Sequence, residues 1–125
     1  MIRFFPRLPY LQFTQPVYCD FLAMRRMYFV GVTTAQSSIQ RIFPQWTRLA
    51  GVDDGTLAGF DIALDAPPSR FRQAVTTIRT DPESWGALVT SHKIPIHQHA
   101  RDLFTNFDAD AERLGEVSCI VRRAG

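Results

Sequence analysis

The sequence predicts an α/β domain: a three-layer α/β/α arrangement around a mainly parallel sheet. Short apolar runs rich in strand formers alternate with segments whose apolar residues recur at helical spacing. Such alternation sets strands side by side in parallel and covers the sheet with helices. The chain has 125 residues and no internal repeat, which suits one domain with a single core.

The elements follow in order. "MYFVGV", from Met27, is a compact run that reads as a buried first strand. Ser37 or Ser38 is placed to cap a helix with apolar positions Ile39, Ile42, Phe43, Trp46 and Leu49, which Pro44 is expected to kink or shorten. After a loop at "GVDDG", the run "LAGFDIAL" (57–64) predicts a second strand. "APPSRFRQAVTTIRT" (66–80) opens on prolines and sets Phe71, Ala74, Val75 and Ile78 on one helical face. "WGALVT" (85–90) is the third strand. Pro95 suits the first turn of another helix, with Ala100, Leu103, Phe104 and Phe107 as its core face. "DADAERLG" (108–115) reads as a short helix ended by Gly115, and "EVSCIVRR" (116–123) as a last strand.

Residues 1–26 read differently. Pro6, Pro9 and Pro16 interrupt any helix and the aromatics follow no period, so an irregular N-terminal extension is expected, with 27–125 as the folded domain. The stretch lacks the uninterrupted apolar core and small-residue cleavage site of a secretory signal. Cys19 and Cys119 form neither a disulfide framework nor a metal-ligand spacing, so a cytoplasmic setting is expected. A net charge of +2 is too small to point to nucleic acid or an anionic membrane surface, and no apolar run reaches the roughly 18 residues of a membrane span. A small-molecule partner is expected instead, and a homodimer is open.

In parallel sheets, ligands collect beyond the carboxyl ends of strands. That rule selects Thr33–Ser38, Thr90–Lys93 and the vicinity of Ser118, all rich in hydroxyls. Lys93 is the single lysine in a chain with thirteen arginines. Its compact amine can exchange a proton where a guanidinium cannot, although a surface lysine capping a loop would read the same way. Thr33, Thr34, Ser37 and Ser38 are more hydroxyls than helix capping requires. His92, His97 and His99 do not fall at ligand spacings, and solvated or capping roles are expected for them. Asp108, Asp110 and Glu112 read as a solvated face. No G-x-G-x-x-G, P-loop or G-x-S-x-G motif occurs.

Taken in order, "YFVGVTTAQSS", "GALVTSHK" and "DADAERLGEVSCI" resemble the N-terminal, substrate-binding domain of the shikimate dehydrogenase family, over Met27 to about Ile120. The corresponding family segments read approximately G-x-P-x-x-H-S-x-S-P, G-x-N-V-T-x-P-x-K and A-x-x-x-G-A-V-N-T. The resemblance implies binding of a polyhydroxylated cyclic carboxylic acid such as shikimate or 3-dehydroshikimate. It also implies NADP as the cofactor of the complete enzyme, held by a following domain and not by residues of this chain. Ser37 matches the serine that contacts the substrate carboxylate, with Ser38 standing in for a second serine whose place Ile39 takes. Thr90 matches a substrate-binding threonine and Lys93 the catalytic lysine, one residue closer to the threonine than in the family. Ser118 takes the place of a substrate-binding asparagine and Cys119 that of a threonine. Leu88 replaces the asparagine of N-V-T, and no acidic residue after Glu116 matches the catalytic aspartate. A degenerate relative serving as a small-molecule-binding or oligomerisation module is the alternative.

Overall fold

The computed structural model describes residues 25–52 and 54–123, so residues 1–24 of the expected extension lie outside the described residues. Strands β1 (Arg26–Gly31), β2 (Thr56–Asp61), β3 (Ser84–Val89) and β4 (Cys119–Val121) form one sheet in the order β2-β1-β3-β4. β1 pairs in parallel with both β2 and β3, and β4 closes the far edge antiparallel to β3. The helices are α1 (Ile39–Leu49), α2 (Pro68–Thr80), α3 (Lys93–Ala100) and α4 (Ala109–Leu114). The chain is therefore an α/β domain with a mainly parallel open sheet, as its alternating pattern predicts.

Period-two alternation divides the sheet between two layers. Tyr28, Val30, Ala87 and Val89 face the main core, which α2 completes with Phe71, Ala74, Val75 and Ile78 and α3 with Ile96 and Ala100. All four expected α2 positions are buried. Each of the larger ones contributes roughly 1.5–3 kcal/mol relative to exposure. Phe29 points to the other face, where α1 lies over β1 and β2 with Phe43 and Thr47 buried. The connections β1 to β2 and β2 to β3 run in opposite directions across the sheet. Right-handed crossovers then require α1 and α2 on opposite faces, which is where they pack.

Several expectations shift. β1 begins at Arg26, one residue before the expected strand start at Met27. Pro44 lies inside α1 without ending it; the helix runs to Leu49. The stripe expected inward on α1 holds only in part: Phe43 is buried and Ile39 half-buried, but Trp46 is 52% and Leu49 87% exposed. Thr47, one turn on from Phe43, is buried in place of Trp46. Gly55 makes room for Thr47; a Cβ there would lie 2.7 Å from Thr47 Cγ2. β2 stops at Asp61 rather than Leu64, where the chain turns toward Pro67. α3 ends at Ala100, and Leu103, Phe104 and Phe107 reach the core from a 3-10 turn and a loop instead of a helical face. Asp108 caps α4 by accepting from the Ala111 N–H at 2.7 Å, and Gly115 closes that helix at φ 66°. β4 is only three residues long.

Candidate functional site at the carboxyl edge of the sheet

The order β2-β1-β3 creates a switch point. The segment leaving β1 turns to α1 on one face, and the segment leaving β3 turns to α3 on the other. Such a switch point is where doubly wound sheets hold their ligands. The three hydroxyl-rich segments selected from sequence all reach this edge. Thr90 follows β3 directly, and both its N–H (3.0 Å) and its hydroxyl (3.2 Å) donate to the Val30 carbonyl. Its Oγ1 lies against the end of β1, so that a Cβ on Gly31 would sit 2.9 Å from it. Because β4 is antiparallel, its start lies at the same edge. The Ser118 carbonyl accepts from Val89 N–H at 2.9 Å, and Val117 N–H donates to the Lys93 carbonyl at 3.0 Å. Ser118 and Lys93 are thus tied to neighbouring points.

Lys93 is the first residue of α3 and is half-buried. Its Cα–Cβ bond tilts toward the helix N-terminus, back toward the strand ends. Among the described residues its ammonium has no hydrogen bond or ion pair. The first turn of α3 carries no acidic residue and no side-chain cap, so its dipole and orphan N–H groups add to the lysine's positive charge. The N-terminus of α1 is better satisfied. Ile39 N–H approaches Ser37 Oγ at 3.5 Å, and the Ser37 and Ser38 carbonyls accept from the first turn. Ser38 occupies the N-cap position, yet its hydroxyl caps nothing and is exposed. Simple capping therefore does not consume the hydroxyls of this loop.

His92 departs from its expected solvated role. It is 1% exposed, its Nε2–H donates to the Ile62 carbonyl at 2.7 Å, and its ring lies 5.3 Å from that of Phe71. It locks the start of α3 above the end of β2. His97 meets Phe107 edge-on and His99 stacks on Phe71, so both serve packing rather than solvent. No three of the His, Cys, Asp and Glu side chains among the described residues gather as a metal site.

Asp61, at the carboxyl end of β2, escaped the sequence reading because the second strand was extended to Leu64, which placed it mid-strand. Ending the strand at "FD" would have selected it. Its Oδ1 accepts from the Thr34 hydroxyl at 2.6 Å and from the Thr34 N–H at 2.9 Å. The Thr34 hydroxyl, with help from its N–H, holds the Asp61 carboxyl below the usual carboxylate range. Leu88 and Ile39, the apolar departures from the family pattern, are half-buried, one in β3 and one opening α1.

A hollow of about 660 Å³, lined in part by Arg101, Phe104, Phe107 and Glu112, lies at the far end of α3, about 12 Å along the helix from Lys93. Its Arg101 pairs with Glu112 at 2.5 Å and its Asp102 with Arg72, so its charges are already satisfied. Its remaining polar lining residues, Thr105 and Asn106, carry no charge, whereas the carboxyl edge holds an ammonium unpaired among the described residues beside open hydroxyls. A dinucleotide has no cradle there. Neither 32–38 after β1 nor 90–92 after β3 contains the glycines that let a backbone approach a pyrophosphate. NADP does not fit these residues, and no hydride-transfer step is derived from them. Among the described residues no helix is long and apolar enough to cross a membrane. No family model matches the chain, and neither a curated protein nor a solved structure matches it.

Proposed function

We propose that this chain is the substrate-binding unit of a shikimate or quinate dehydrogenase-like oxidoreductase and takes a polyhydroxylated cyclic carboxylic acid at the carboxyl edge. The observation that carries this reading is the convergence of Thr33–Ser38, Thr90–Lys93 and Ser118 on one switch point. There the Lys93 ammonium and the Ser38 and Ser118 hydroxyls have no protein partner among the described residues. The N-terminus of α3 with Lys93 suits a carboxylate, and the hydroxyls of Ser37, Ser38, Thr90 and Ser118 suit a ring bearing hydroxyls. In a complete enzyme that supplies NADP from another domain, Lys93 would hydrogen-bond the reacting oxygen and exchange its proton. Titration calorimetry with millimolar shikimate and quinate tests the reading. Binding that Lys93→Ala weakens supports it; absence of heat with wild type removes it.

The exposed Ile42, Trp46 and Leu49 on α1 favour a second reading, a non-catalytic module that pairs with a second copy through this helix. Sedimentation distinguishes the two. A dimer that Trp46→Glu dissociates supports pairing, and a wild-type monomer at high concentration rules it out.

A further inference from the structure

The geometry points to Asp61 as the group that reads a ligand hydroxyl, with Thr34 as the residue that positions it; this rests on the hydroxy-acid reading above. Thr34 is only 4% exposed. Its hydroxyl occupies space over β2 that only a glycine leaves open, since a Cβ at Gly59 would fall 2.1 Å from Thr34 Oγ1. Gly59, Thr34 and Asp61 thus form one fitted unit across β2 and the segment that follows β1. Its two donors converge on a single oxygen, Oδ1. The other oxygen, Oδ2, has no partner among the described residues, and Asp61 is solvent-exposed. A carboxylate needed only to hold the 32–38 segment has spent one oxygen on that task. The second is oriented, ionised and open, which suits an acceptor for an alcohol O–H.

Asp61 also sets the ligand's polarity. β2 and β3 flank β1, so their ends lie about 9–10 Å apart, two inter-strand spacings. A ligand carboxylate is repelled by Asp61, beside which the Arg70 guanidinium donates to the Asp61 carbonyl at 3.4 Å and to Gln73. It is attracted to Lys93 and the α3 N-terminus, which have no such partners among the described residues. A ring acid therefore lies with its carboxylate toward β3 and a hydroxyl toward β2. The carboxylate end supplies affinity, and the Asp61 end supplies discrimination between hydroxylated and bare rings. Losing a hydrogen bond to a charged acceptor lowers affinity by at least about tenfold.

Asp61→Asn separates this role from a structural one. Asparagine keeps an oxygen for the two Thr34 donors, turns the free atom from an acceptor into a donor and removes the negative charge. Calorimetry would compare shikimate with cyclohex-1-ene-1-carboxylate, the same acid without hydroxyls, on the full chain. Wild type is expected to prefer shikimate by about tenfold or more. Asp61→Asn is expected to bring that preference near one, since relief of carboxylate repulsion is shared by both acids, whereas Lys93→Ala weakens both acids and keeps the preference. If Asp61→Asn leaves the preference at its wild-type value, the assignment of Asp61 is overturned while the hydroxy-acid reading stands. If wild type binds neither acid, both fall.

Discussion

The two edges of one sheet are built on opposite terms. At the amino edge the charges of Arg26, Asp81, Glu83 and Arg122 are all answered. Arg26 donates to Asp81 at 2.5 Å and to Glu83 at 2.7 Å, and the Tyr28 hydroxyl donates to Asp81 at 2.8 Å. Arg122, just past β4, donates to the carbonyls of Asp81 and Pro82 at 2.7 and 3.1 Å. At the carboxyl edge, among the described residues, Lys93 and several hydroxyls are left open, and the Asp61 carboxylate is held by only one of its oxygens. An arginine fork with two carboxylates stitches β1 to the turn before β3, a structural use of charge. A lone amine at a helix N-terminus with nothing to pair with does no such stitching. Under the proposed function, stability and recognition are divided between opposite ends of the same strands, so substitutions at the two edges should affect different measurements.

The largest expected loss of stability comes from the amino edge. Asp81→Ala removes the acceptor shared by Arg26 and Tyr28 and should cost about 2–3 kcal/mol in urea unfolding. Shikimate affinity should remain within about twofold, because no Asp81 contact reaches the other edge. A large loss of binding without loss of stability would break the division. Next comes Gly59→Ala, where a methyl group must displace Thr34 Oγ1. It should cost about 1–3 kcal/mol and also lower the wild-type preference for shikimate over the bare acid. It is the one place where a packing change should be felt in recognition.

The pH dependence sharpens the same contrast. Burial opposes the Asp81 carboxylate, but the Tyr28 hydroxyl, the Glu83 N–H and the Arg26 guanidinium together hold its carboxyl below the usual carboxylate range. A carboxyl with a lowered folded pKa stabilises above its unfolded value of about 3.9, and that contribution is lost as pH falls through the folded value. The gap in urea midpoint between wild type and Asp81→Asn should therefore be present at neutral pH and close in acid below the folded value. A gap that stays constant into acid would remove the ionic account of this edge. The smallest stability effect is expected for Ser118→Ala at the carboxyl edge, within about 0.5 kcal/mol, since its exposed hydroxyl has no protein partner. Its ligand affinity should still fall.

Much of the fold was legible because burial and periodicity agree in the central elements. Phe71, Ala74, Val75 and Ile78 repeat at helical spacing and are all buried, and the β1 and β3 runs lie between covered faces. On α1 the expected stripe is only half right: Phe43 is buried, but Trp46 and Leu49 are exposed and Thr47 is buried. Thr47 fits over Gly55 where a larger side chain would not, and that match across the sheet leaves no periodic signal. The carboxyl-end rule placed Thr90 and Lys93 at one edge, and Ser118, just before the last strand, joins them only because β4 runs antiparallel to β3. Asp61 was missed through a strand end set three residues too late, whereas the buried role of His92 depends on the Ile62 carbonyl 30 residues away, a pairing not written in local pattern.

The central claim is that the carboxyl edge is the recognition edge. The most direct test is an amide-resolved NMR titration of the full chain with shikimate. The account predicts saturable shifts for residues 33–38, 61, 90–93 and 118, with Arg26, Asp81, Glu83 and Arg122 unmoved. Shifts confined to the amino edge or to the outer face of α1, or no shifts at saturating millimolar shikimate, would contradict it.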